Sequence, residues 1–119
     1  MLREIIPVPQ PGNDLFRRWF EDEFFDLIVW YNQQREIHGF QLCYQKSGNE
    51  QALTWIEDRG YAHHRIDSGE QSVWETKTPV LTATVAFPRQ QIIESFLKRS
   101  NYLQPKVLQY VVRKLEEYG

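Results

Sequence analysis

The chain has 119 residues, 41 % of them hydrophobic and 25 % charged, with a formal charge of -2. That length fits one domain, and that composition excludes a disordered or low-complexity chain. The near balance of 14 Lys and Arg against 16 Asp and Glu argues against a polyanion-binding tail and against an acidic one. A single cysteine, Cys43, excludes an intramolecular disulfide and suits a reducing compartment. No apolar run approaches the roughly 20 residues of a membrane span or the core of a signal peptide. The expected setting is the cytoplasm, with no membrane partner.

Residues 1–12 read MLREIIPVPQPG, and three prolines within five positions forbid a central strand or helix there. An extended arm is expected, followed by one α+β domain over 13–119. Asn13 or Asp14 could cap a short helix reaching Phe20, since Leu15, Phe16, Trp19 and Phe20 recur at helical spacing. A bent strand is the alternative.

Phe24–Tyr31 (FFDLIVWY) is rich in aromatic and β-branched residues and reads as a strand. Five polar residues then lead to Ile37–Tyr44, where Phe40, Leu42 and Tyr44 alternate with Gly39, Gln41 and Cys43. Turn residues at 46–50 precede a third strand at Ala52–Ile56, and Asp58-Arg59-Gly60 precedes a fourth at Tyr61–Asp67. Leu81–Phe87 alternates as a last strand, and Pro88 ends it. The period then changes: Ile92, Ile93, Phe96 and Leu97 form one helical stripe. Val107, Leu108, Val111, Val112 and Leu115 form a second, with Pro105 suited to its first turn. The expected architecture is an antiparallel β-meander of about five strands, with two C-terminal helices packed on one face.

No phosphate loop, dinucleotide fingerprint, metal-protease motif or nucleophile elbow occurs, and no cofactor is implied. Cys43, mid-strand without an adjacent base, reads as an inert buried thiol. His38 and His64 as a metal pair would lack a third ligand. The densest polar stretch is Tyr61–Asp67. On a strand, Tyr61, His63, Arg65 and Asp67 point one way, while Ala62, His64 and Ile66 point toward the core. His63 could shuttle a proton, Arg65 could hold an anion bidentately, and Asp67 or Glu57 could orient the imidazole, with Tyr61 beside them. This face is expected to lie away from the helices.

Three functions follow. The first is a non-enzymatic protein-interaction or regulatory module, whose partner is another protein or a second copy. It rests on missing catalytic motifs, many aromatics and mild charge. The second is a small phosphodiester-processing or nucleotide-binding enzyme built on His63, Arg65 and Asp67. The third is weak nucleic-acid binding through Arg99, Lys106, Arg113 and Lys114 on the basic helices, which the acidic residues elsewhere disfavour.

Overall fold

A computed structural model describes residues 1–5, 16–46, 48, 50–65 and 87–118. The strands are β1 (Arg3–Ile5), β2 (Phe16–Glu21), β3 (Asp26–Tyr31), β4 (Ile37–Tyr44), β5 (Gln51–Ile56) and β6 (Gly60–Arg65). The helices are α1 (Arg89–Lys98) and α2 (Pro105–Glu117). Among the described residues the six strands form one antiparallel sheet in chain order. The α+β meander with two C-terminal helices is therefore the observed fold. The expected last strand lies outside the described residues except for Phe87, which precedes α1 and is in no strand.

The short N-terminal helix is not formed. Phe16–Glu21 is a strand paired along its whole length with β3, and Arg3–Ile5 pairs outside it. The sequence FRRWF satisfies both periods, and pairing decides between them. On a helix Phe16, Trp19 and Phe20 would share a buried stripe. Instead Phe20 is buried while Phe16 and Trp19 are exposed. Arg18 then projects beside β1, where its Nε and Nη2 donate to both carboxylate oxygens of Glu4, at 2.9 and 2.7 Å.

Side chains hold the turns. Between β2 and β3, Asp22 Oδ1 accepts the backbone N–H groups of Phe24 and Phe25, each at 2.8 Å. Its Oδ2 takes Arg99 Nη1 at 3.1 Å, which ties the end of α1 to this turn. Burial opposes the Asp22 charge, but these backbone and arginine donors outweigh it and hold the carboxyl below its usual range. Between β3 and β4, Asn32 Oδ1 accepts from Gln34 and Glu36, and Arg35 adopts a positive φ of 66°. Gly39 is required in β4: a Cβ there would stand 2.3 Å from the carbonyl oxygen of Trp55.

The strand register sets Leu27, Leu42, Leu53 and His63 in one row, and Val29, Phe40, Trp55 and Tyr61 in the next. The helices pack on this face. Ile92 and Phe96 of α1, and Val107, Val111 and Leu115 of α2, join Leu27, Val29, Phe40, Leu42 and Leu53 in one buried cluster. The helical stripes read from sequence thus meet the sheet, except that Leu97, expected in the first stripe, is exposed.

The orientation of β6 is the reverse of the expected one. Tyr61 and His63 face the helices, and Arg65 shares that side by strand alternation. His64 lies on the opposite side, level with Ala52, Cys43 and Asp26. Tyr61 and His63 carry large rings whose polar atoms reach partners under the helices. Ala62 and His64 offer less area to bury. Ring size therefore outweighs nominal polarity.

Candidate functional site

The second helix presents two contrasting regions to the sheet. Against β5 and β6, the sequence-identified Tyr61, Glu57 and Lys114 are brought together with α2 and already have partners. Tyr61 donates its hydroxyl to the Lys114 carbonyl at 2.8 Å. Its ring lies 4.6 Å from Trp55 and 4.9 Å from Tyr118, centroid to centroid. Lys114 Nζ sits 4.3 Å from the Trp55 ring centroid, a cation–π contact, and 3.5 Å from Glu117 Oε1. Trp55 Nε1 donates to the Tyr110 hydroxyl at 3.0 Å, and that hydroxyl donates to Glu57.

His63 is half-buried in the same layer. Its Nε2 shares a 2.6 Å hydrogen bond with the Tyr44 hydroxyl, and the two rings are stacked. Phe87 and Tyr118 meet the imidazole edge-on. Burial, and then the neighbouring His64, hold the His63 pKa below its usual value. Burial lifts the Tyr44 phenol to about 12. Both groups are therefore neutral at pH 7. Glu57 is engaged by Tyr110, and no ion pair joins His63 to a carboxylate among the described residues. Asp67 lies outside the described residues, and Arg65 ends β6 as an exposed side chain.

The histidines do not gather. His38 Nε2 is 3.7 Å from Asp58 Oδ1 at one end of β4, whereas His64 lies level with Cys43 at the other. Among the described residues no three His, Cys, Asp or Glu side chains converge to hold a metal ion. Cys43 is buried, and burial pushes its thiol up to about 11, consistent with an unreactive group.

The four basic helix residues do not form one surface. Arg99 pairs with Asp22 and Glu23 and lies 3.6 Å from the Phe24 ring centroid, so it fastens α1 to the β2–β3 turn. Lys114 lies against Trp55. Only Lys106 and Arg113 come together, on the wall of a cleft between α2 and the β2–β3–β4 sheet end.

That cleft has a volume of about 610 Å³. Phe16, Tyr31, Ile37 and Tyr110 supply its rings and apolar floor, and Arg18, Arg35, Lys106 and Arg113 its positive charge. Glu36 is the carboxylate in its lining. Arg18 is engaged with Glu4 and donates to Gln104 Oε1 at 3.2 Å. Arg35 lies over the Phe16 ring at 5.6 Å. Lys106 and Arg113 make no ion pair or hydrogen bond through their side chains among the described residues. Sequence reasoning found Lys106 and Arg113 but missed Phe16, Tyr31 and Arg35. The pairing of β2 with β3 sets Phe16 opposite Tyr31, and Arg35 reaches the cleft from the β3–β4 turn. The available signal was the seven-residue spacing of Lys106 and Arg113, which returns to one helix face after about two turns.

Compared with protein-family models, with curated proteins and with solved structures, the chain matches none. No helix among the described residues is long and apolar enough to cross a membrane.

Proposed function

We propose that this domain is a non-enzymatic interaction module, and that its contact surface is the cleft between α2 and the β2–β3–β4 sheet end. One observation carries this reading: Lys106 and Arg113 flank an aromatic-walled cleft with no ion-pair or hydrogen-bond partner for their side chains among the described residues, while the titratable cluster where α2 meets β5 and β6 has its partners within the fold. An unpaired cation beside exposed apolar surface retains its capacity for an external anion. A cytoplasmic setting suits the reading, with a lone, buried thiol. The partner is another protein.

A second reading assigns phosphodiester chemistry to His63, Arg65 and Asp67. It is favoured by the shared face of His63 and Arg65 and by an imidazole neutral at pH 7, the form a general base requires. One assay separates the two. Hydrolysis of bis(4-nitrophenyl) phosphate is measured for the wild-type chain and for His63→Ala. The interaction module shows no hydrolysis that depends on His63. Turnover that disappears in His63→Ala would contradict it and favour the enzyme.

A further inference from the structure

We infer that the cleft beside α2 takes an acidic, aromatic-containing peptide segment of a partner protein, with its carboxylates on Lys106 and Arg113. This deepens the interaction reading and rests on it. Lys106 and Arg113 are seven residues apart on α2, so their Cα atoms are separated by roughly 10 Å along the helix axis. Tyr110 lies between them on the same side. Its hydroxyl is held by Trp55 and Glu57, which fixes the ring that faces the cleft. Across from it stand Tyr31 and the exposed ring of Phe16, 5.5 Å apart. The order along the helix is thus cation, ring, cation.

A peptide in the polyproline-II conformation advances about 3.1 Å per residue with three residues per turn, so two carboxylates three positions apart share one side and span roughly 9 Å. A ring between them would meet Tyr110 and Phe16. The Arg113 fork suits a carboxylate, and the 610 Å³ volume admits a few side chains rather than a folded surface.

Nucleic acid fits less well. Its affinity comes from many phosphate contacts along a continuous cationic track. Among the described residues the cleft holds three cations with no ion pair or side-chain hydrogen bond, Lys106, Arg113 and, over the Phe16 ring, Arg35. Glu36 lines the same cleft, and Glu116 follows Arg113 on the next turn. A backbone leaving the cleft would meet those carboxylates.

The test uses a fluorescein-labelled synthetic peptide carrying two glutamates three positions apart around a phenylalanine, and a labelled single-stranded oligonucleotide of similar length. Polarisation is read for the full chain over a salt series, with K106Q, R113Q and the double variant. The peptide is expected to bind at low salt and to weaken with added salt. Its affinity falls about tenfold in the double variant, and a peptide with glutamine for both glutamates loses a similar factor. The neutral substitutions remove no ion pair or side-chain hydrogen bond among the described residues, and thermal melting confirms that the variants are folded. Absent peptide binding at low salt overturns the inference, as does binding indifferent to the double variant. An oligonucleotide that binds more tightly than the peptide, and depends on the same two residues, also overturns it while leaving the cleft as the contact surface. His63-dependent hydrolysis, by contrast, removes the interaction reading itself.

Discussion

The two sides of α2, one lining the cleft and one meeting β5 and β6, use similar residue types in opposite ways. Toward Tyr118, Trp55, Tyr61 and Tyr110 pass their polar atoms to Tyr110, the Lys114 carbonyl and Glu57 in turn, and Lys114 lies over Trp55. On the side facing β2 and β3, Phe16, Tyr31 and Tyr110 wall an open cleft, and Lys106 and Arg113 line it with no ion pair or side-chain hydrogen bond among the described residues. The same chemistry is structural where it is mutually satisfied and available where it is not. The difference is a matter of register. Trp55 and Tyr61 stand opposite each other across β5 and β6 and reach Tyr110 and the Lys114 carbonyl, whereas the cleft lies where the β3–β4 hairpin returns at Asn32–Glu36.

The contrast can be broken most strongly from the satisfied side. Trp55→Ala removes a ring packed against Tyr61 and under Lys114 and leaves the Tyr110 hydroxyl without its donor. We expect a loss of about 3 kcal/mol in urea unfolding. His63→Ala should cost about 2 kcal/mol, since it deletes a half-buried ring and orphans the Tyr44 hydroxyl. A change under about 0.5 kcal/mol at either position would mean that this layer is not structural.

A smaller effect sharpens the role of the histidines. Burial lowers the pKa of both His63 and His64 from 6.5. The unfolded chain therefore binds protons at these sites more readily than the folded one. Their contribution is full above pH 6.5 and is lost as pH falls through 6.5 toward the folded values. Stability measured from pH 7.5 to 5.0 should decline less in a His63→Gln, His64→Gln chain than in the wild type. An equal decline in both would contradict the burial of these imidazoles. The smallest effect belongs to the available side: Lys106→Gln and Arg113→Gln should each shift stability by less than about 0.5 kcal/mol. Larger losses would show that these cations have internal work.

Much of the sheet was legible because its alternation is local. Ile37–Tyr44 forms a strand over the whole expected range, and Pro105 begins α2 where its ring suits the first turn. The helical stripes were legible for the same reason. The site was less so. Two-residue alternation shows which side chains share a face, but not which face the helices choose. His63 therefore belonged correctly with Tyr61 and Arg65 yet was placed on the wrong side. Phe16 belonged to a segment compatible with two periods, and only its pairing with Tyr31 carries it to the cleft. Arg35 reaches the cleft from a turn residue with positive φ, which no hydrophobic pattern reports. Lys106 and Arg113 were visible as charges, but the absence of partners for them is a three-dimensional property.

The central claim is that α2 binds along the side that carries Lys106 and Arg113 and is braced where it meets β5 and β6. The most direct measurement is an amide chemical-shift titration of the labelled chain with the two-glutamate peptide. The account expects perturbations at Phe16, Tyr31, Arg35, Lys106, Tyr110 and Arg113, with His63, Tyr44 and Tyr118 unmoved. Shifts centred on His63 and Tyr118, with the cleft silent, would contradict it.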